Sequence, residues 1–177
     1  MRIISGSLRG KKLFTPKNDN VRPTTDRTRE SIYNILYAKL DNPLSEYSVL
    51  DIFSGTGAFG LEALSRGAKD ATFVDIDLSL TKKNVDLCGF KNVSFIKGDA
   101  RFLSKAKHTY NLVFMDAPYN KNLSEPVLIN LKKNGYLDNN TIIIVEIAYN
   151  EELNINDEFT IIDTRTYGAS KIIFLTL

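Results

Sequence analysis

The stretch NLVFMDAPYN, residues 111–120, closes an apolar run with a carboxylate, Asp116, then Ala117-Pro118 and an aromatic ring, Tyr119. A strand that needs only to stop can use Gly or Asn. An acid beside a proline-held ring is a different choice, and it places an acceptor and an apolar surface at one fixed point. Three more carboxylates fall at or just after the ends of short apolar runs: Asp51 in VLDIF, Asp75 in FVDID and Asp99 in GDA. In an open parallel sheet such positions form one rim, and ligands bind there. Four carboxylates on one rim repel each other unless donors are brought to them. Asp77 reads as a helix N-cap and Glu146, in IIIVEI, as a structural acid at another strand end.

The run VLDIFSGTGAFG contains Gly55-x-Gly57-x-x-Gly60. This spacing lets backbone approach a ligand at a helix N-terminus. A nicotinamide dinucleotide fits it poorly. Asp75 comes 15 residues after Gly60, whereas the ribose acid of a dinucleotide fold lies ~20 residues on. Asp51, four residues before Gly55, would aim negative charge at a pyrophosphate but suits an ammonium. A ligand with a cationic amino-acid end and a ribose satisfies Asp51 and Asp75 together, and S-adenosylmethionine has both.

The elements that must position these residues follow from periodicity. SVLDIF, ATFVDI, NVSFIK, NLVFMD and TIIIVEI are apolar runs of strand length. Between them, AFGLEALSRG, LSLTKKNVDLCG, ARFLSKAK and SEPVLINLKK read as helices. Such alternation implies βαβ crossovers and a doubly wound, mostly parallel α/β sheet covered on both faces. The tail EFTIIDTRTYGASKIIFLTL reads as two antiparallel strands around a Gly-containing loop. At the start, RIIS and KKLF suggest a small hairpin. Thr24-Thr25-Asp26 offer N-caps for a helix reaching about Leu40, with Ile32, Ile35, Leu36 and Leu40 on one face. Residues 1–40 thus form an extension packed on residues 41–177, effectively one domain.

The net charge of +2 conceals an asymmetry. Residues 1–40 carry nine Lys/Arg against three Asp/Glu, the remainder fourteen against eighteen. A basic arm on an acidic body points to a polyanionic partner. Arg27 and Arg29 fall in the first turn of the expected helix, where the macrodipole disfavours cations. One Cys, Cys88, rules out an internal disulfide, and with the one His, His108, in a separate polar stretch, neither a zinc site nor a Cys–His pair has its ligands nearby. MRIISGSLRGKKL has no apolar core of a signal peptide and no segment reaches membrane-spanning length, so a cytoplasmic protein is expected. Nothing in the sequence demands more than a monomer.

VLDIFSGTGAFG, FVDID, GDA and MDAPY, in that order, resemble the class I S-adenosylmethionine-dependent methyltransferases. RIISGSLRGKKL and RPTTDRTRESIYNIL narrow the resemblance to the bacterial 16S rRNA (guanine-N2)-methyltransferase D family. The glycine loop is common to many methyltransferases; the N-terminal blocks are far more specific. The resemblance implies a seven-stranded Rossmann-like sheet with S-adenosylmethionine as cofactor and no metal. Asp51 and the loop Phe53, Ser54, Gly55, Thr56 and Gly57 would hold the cofactor's methionine end. Asp75 would accept from the ribose hydroxyls, Ile76 pack on the adenine, and Asp99, followed by Ala100, accept from the adenine amine.

The same resemblance answers the opening question. The family's motif is Asp/Asn-Pro-Pro-Tyr/Phe, which Asp116-Ala117-Pro118-Tyr119 matches with one departure, Ala117. An exocyclic base amine is a poor nucleophile, because its lone pair is delocalised into the ring. A carboxylate and a backbone carbonyl that accept its N–H groups hold the nitrogen towards the methyl donor. Ala117 keeps the carbonyl and loses rigidity. Guanine's Watson–Crick edge offers two adjacent donors to the acceptor-only Asp116, which favours guanine over adenine. Tyr119 would stack on an extruded base. Arg2, Arg9, Lys11, Lys12, Arg22, Arg27 and Arg29 would face the phosphates of 16S rRNA, within an assembled small ribosomal subunit. Arg165 and Tyr167-Gly168 match a further family block in the last loop. Two alternatives are an amino-methyltransferase on adenine or on a protein amide, and a noncatalytic RNA-binding module on the same fold.

Overall fold

A computed structural model describes residues 1–16, 26–40 and 43–177. Among these residues seven strands form one sheet: β1 (Ser48–Ile52), β2 (Asp70–Asp75), β3 (Val93–Lys97), β4 (Leu112–Asp116), β5 (Ile142–Ala148), β6 (Thr160–Tyr167) and β7 (Ser170–Thr176). The spatial order is β3-β2-β1-β4-β5-β7-β6. β1 to β5 run parallel, and β7 inserts antiparallel between β5 and β6. The five-strand alternation and the antiparallel tail are those expected from the sequence. β1 and β5 are buried along their whole length, as strands covered on both faces must be.

Among the described residues four helices cover the sheet: α1 (Asp26–Tyr37), α2 (Ala58–Ser65), α3 (Ser79–Cys88) and α4 (Ser124–Lys133). α1 ends three residues before the expected Leu40, because the backbone tightens there, with Ala38 N donating to Ile35 O. The proposed caps Thr24 and Thr25 lie outside the described residues. ARFLSKAK is not a helix. It is one 3-10 turn, Ala100–Phe102, after which Leu103 is extended and buried. Asp77 lies just outside α3; its Oδ1 accepts from Ser79 N at 3.0 Å, so it caps the first turn from one residue upstream.

The N-terminal hairpin is short: beside the bridge of Arg2 with Lys12, Ile3 N donates to Lys11 O, Gly10 N to Ile3 O and Leu13 N to Met1 O. The reason is competition for amides. Ile4 N and Ser5 N donate to the buried carboxylate of Glu62 on α2, at 2.7 and 3.0 Å, rather than across a hairpin. Gly6 lies so close to the end of α2 that a Cβ would stand 1.8 Å from Ser65 O. Further along, Asn84 on α3 clasps Phe14, accepting from its N and donating to its O. Ile3, Leu13, Ile32, Tyr33 and Leu36 join Phe59, Phe73 and Phe114 in one apolar cluster. The extension is therefore bound to the sheet domain through core contacts and buried hydrogen bonds.

The topology creates the site. β2 flanks β1 on one side and β4 on the other, so the strand order switches direction between β1 and β4. The loops leaving these two strands diverge and leave a crevice.

Candidate functional site

The Gly55–Gly60 loop leaves β1 through Phe53, a non-glycine residue at φ 57°. This left-handed conformation costs on the order of 1 kcal/mol or more, and the Phe53 ring offsets it by packing on the apolar cluster beneath α4. Two α3 residues then take the loop's carbonyls. Thr81 Oγ1 donates to Gly55 O at 2.8 Å and Asn84 Nδ2 to Thr56 O at 2.9 Å. Ser54 is pinned by Val74 O, which accepts from its N, and by its Oγ against Thr81 Oγ1 at 3.3 Å. Turning carbonyls back towards α3 fixes the peptide planes of the loop at the N-terminus of α2, the arrangement that suits an anionic or polar ligand. Gly57 and Gly60 are needed for close approach. A Cβ would meet Thr81 Cγ2 at 2.9 Å in the first case and Phe73 Cε1 at 2.5 Å in the second.

Asp51 lies beneath the glycine loop. It is 2% exposed, and its Oδ2 accepts from Gly60 N at 2.9 Å. Burial pushes its carboxyl from 3.8 up to about 8, against the opposing effect of the Gly60 bond; Asp75 raises it further and Arg29 lowers it. The carboxyl is enclosed beneath the loop. Asp51 ties β1 to the first turn of α2.

Asp75 ends β2 beside the glycine loop. Its Oδ2 accepts from Gly55 N at 2.9 Å and its Oδ1 from Asp77 N at 3.1 Å, which orients the carboxylate and leaves each oxygen a further lone pair. Ile76 beside it is 70% exposed, an apolar side chain bare at a rim. Asp99 is held by its neighbour: Arg101 Nη2 and Nε reach its carboxylate at 2.6 to 3.1 Å. That pairing and the Arg101 backbone N–H pull its carboxyl down to about 2. Phe102, 76% exposed, ends the 3-10 turn that follows β3, while Ala100 at its start is buried. Sequence reasoning misses Phe102, because it falls inside a run that reads as a helix and does not form one.

On the other side of the crevice, β4 pairs with β1 up to Met115 with Ile52. Asp116 is the next residue, so it lies beside the start of the glycine loop. It also pairs in register with Glu146 of β5, which is 2% exposed. Tyr119 is tethered by its hydroxyl, which donates to Glu146 Oε1 at 2.9 Å and lies 2.8 Å from Ser170 Oγ. Burial pushes its phenol well up. The hydroxyl is thus committed to holding the ring. Ala117 is buried and Pro118 exposed.

The family model described as Conserved hypothetical protein 95 matches residues 1–176. Ribosomal RNA small subunit methyltransferase D of Escherichia coli K12 is 37% identical over 155 residues, covering 82% of this chain and 74% of that protein. The Haemophilus influenzae protein of the same name is 32% identical over 176 residues, 95% of this chain and 89% of that one. The chain belongs to the rRNA small subunit methyltransferase D family. Its fold agrees. An E. coli structure described as a methyltransferase, yhhF, superposes with a TM-score of 0.83 at 32% identity, covering 99% and 97% of the two chains. An RNA methyltransferase from Salinibacter ruber, solved with S-adenosyl-L-homocysteine, shares the fold at a TM-score of 0.67 and 16% identity.

The basic residues expected to face RNA in this methyltransferase divide into three groups. Arg9, Lys12 and Arg27 are exposed and Lys11 is half-buried; Arg2 is exposed and paired with Asp26 at 3.3 Å. Arg22 lies outside the described residues. Arg29 contradicts the expectation. It is 1% exposed, with Nη2 donating to Arg2 O at 2.6 Å and to Asp26 Oδ1 at 3.1 Å. Its place on α1, three residues before Ile32 and four before Tyr33, puts it on the buried face, so no phosphate can reach it without unpacking the helix. Arg165 and Tyr167 lie on β6 rather than in the last loop; Arg165 is exposed and paired with Asp163, and Tyr167, at the strand's end, packs on the core. Among the described residues no helix is long and apolar enough to cross a membrane.

Proposed function

We propose that the protein transfers a methyl group from S-adenosylmethionine to the exocyclic N2 amine of a guanine in 16S ribosomal RNA. The observation that carries this reading is the register of β4 on β1, which sets Asp116-Ala117-Pro118-Tyr119 beside the glycine loop. S-adenosylmethionine supplies a sulfonium-bound, electrophilic methyl. The residues present suit it: an oriented carboxylate at Asp75, bare apolar side chains at Ile76 and Phe102, and a loop whose carbonyls are turned away. Asp99 can accept from an amino group only by sharing its carboxylate with Arg101.

For the amine, Asp116 and the Ala117 carbonyl act as paired acceptors that orient the nitrogen and favour its pyramidal form. Asp116, an acceptor only, takes two adjacent donors, which guanine's N1–H and N2–H₂ provide. Tyr119, fixed through Glu146 and Ser170, offers its ring to an extruded base. Arg9, Lys11, Lys12 and Arg27, with Arg2, form the phosphate-facing surface, which positions RNA without reading its sequence. The 37% and 32% identity to enzymes named for the small-subunit rRNA supports this substrate, and an assembled subunit in the cytoplasm is its natural setting.

Asp116→Ala tests the reading. It should lower methyl transfer by at least ~100-fold, as loss of a catalytic hydrogen-bonding group does. Affinity for S-adenosylhomocysteine by calorimetry should stay within about threefold. Loss of cofactor binding, or retained transfer, would overturn the role given to Asp116.

A further inference from the structure

Asp116 and the Ala117 carbonyl can act as paired acceptors only if the backbone that carries them keeps one shape. Residues 116–125 contain no glycine. Pro118 fixes its own φ, whereas Ala117 leaves its φ free. Further on, Asn120 and Asn122 stand at φ 57° and 49°, left-handed conformations that cost any residue with a Cβ. Such a stretch holds its shape where contacts from outside it decide that shape. Tyr119 is held through its hydroxyl by Glu146 and Ser170. A bond at the far end of a side chain fixes a ring better than it fixes a peptide plane.

The peptide itself is held from the far end of β5. The chain leaving β5 turns back at once, with Glu151 N donating to Ala148 O at 3.0 Å. The Glu151 carboxylate then spans two segments: Oε1 accepts from Asn120 N, and Oε2 accepts from Ala148 N at 2.7 Å. Its backbone is anchored by β7, where Lys171 Nζ donates to Glu151 O at 2.7 Å. A second link runs the opposite way: Asn154 N donates to Glu125 Oε1 at 2.8 Å, at the start of α4. Ala117, Pro118, Leu123, Ile147 and Leu153 line a small cavity between the two segments. A carboxylate shared by two backbone amides makes charge-assisted hydrogen bonds, stronger than neutral ones. It joins the loop that follows Asp116 to β5, the strand on which Asp116 is in register with Glu146.

We infer that Glu151 is a positioning residue for methyl transfer: by fixing the peptide at Asn120, it sets the direction in which Asp116 and the Ala117 carbonyl point. This role rests on the reading of those two groups as acceptors for the target amine, and it gives the segment after β5 a part in the reaction. Glu151 acts through the loop and not on the reacting atoms. Its loss therefore lowers the rate of the chemical step rather than the affinity for cofactor or RNA, because a misplacement of ~1 Å costs about 100-fold in rate.

Two readouts on Glu151→Ala and Glu151→Gln test this role: amide hydrogen exchange, and single-turnover methyl transfer to small ribosomal subunits. In Glu151→Ala the amides of residues 119–123 should exchange at least ~10-fold faster, as loss of a hydrogen bond to a charged group allows, with those of β1 and α2 unchanged. The single-turnover rate should fall by ~10- to 100-fold, while affinity for S-adenosylhomocysteine and for RNA stays within about threefold. Glu151→Gln keeps one acceptor oxygen, so it should lie between wild type and Glu151→Ala in both readouts, and it covers the case in which Glu151→Ala does not fold. Unchanged exchange in the loop would overturn the bridge. Faster loop exchange with undiminished transfer, or a loss of cofactor affinity as large as the loss of rate, would overturn the positioning role. Absence of transfer by the wild type would overturn the proposed reaction and this role with it, and the exchange readout tells that case apart from failure of the bridge.

Discussion

Asp51 shows how burial changes what a residue can do. In the sequence, four positions before a glycine loop, its charge looks like the useful property. In the fold its desolvation dominates, raising the carboxyl's pKa while Oδ2 accepts from Gly60 N. The consequence for stability has a definite sign. Folding raises this carboxyl's pKa from 3.8 to about 8, so the native state binds the extra proton. Its stabilising contribution is complete below pH 4 and is lost as pH rises through about 8. Asp51→Asn, which cannot ionise and can still accept from Gly60 N, should flatten that loss. Urea denaturation at pH 5 and pH 9 should show the variant rising relative to wild type by on the order of a few kcal/mol. An unchanged difference across that range would mean that Asp51 is ionised in the fold. Gly60 makes a simpler case. A methyl group there would stand 2.5 Å from the Phe73 ring, and Gly60→Ala should cost ~1–3 kcal/mol in thermal melts.

Among the elements, the N-terminal extension departs most from the strand-and-turn pattern of its sequence. Glu62 lies in a helix that reads as plainly apolar, AFGLEALS, and it is the residue that captures the arm. It accepts from Ile4 N, Ser5 N and Arg66 Nε with no exposed surface. Nothing local in the sequence signals this, because the partners are nearly sixty residues apart. Glu62→Ala should destabilise the protein by roughly 3–5 kcal/mol, as removing one partner of a buried ion pair does. It should also expose residues 1–16 to limited proteolysis before the rest of the chain. The arm's outer face makes a separate prediction. Reversing Arg9 and Arg27 to Glu should weaken RNA binding and reduce the slope of log affinity against log salt by about 0.7–0.9 for each phosphate no longer neutralised. An unchanged slope would show that those side chains face solvent rather than RNA.

At the scale of the whole molecule, the sheet and its two functional loops are legible in the sequence because each rests on short-range signals. Five apolar runs of strand length, glycines at fixed spacing and a proline after Asp116 are all local features. What escapes depends on contacts distant in sequence. Thr81 and Asn84 read as ordinary polar helix positions, and only the packing of α3 against the glycine loop makes them its supports. Phe102 is hidden by a helix expectation that a single 3-10 turn replaces. Arg29 reads as a phosphate contact because charge is visible in sequence and burial on the inner face of α1 is not. Glu146 and Ser170 meet Tyr119 only because β7 inserts next to β5. The switch point between β1 and β4 brings the glycine loop and the Asp116–Tyr119 motif together, and that convergence is the central claim.

The most direct test is transfer of tritiated methyl from S-adenosylmethionine to small ribosomal subunits that lack this modification, followed by nucleoside analysis of the 16S rRNA. Label recovered as N2-methylguanosine is the result expected. Label in N6-methyladenosine would contradict the base assigned to Asp116, and no label in the presence of measured cofactor binding would contradict the substrate.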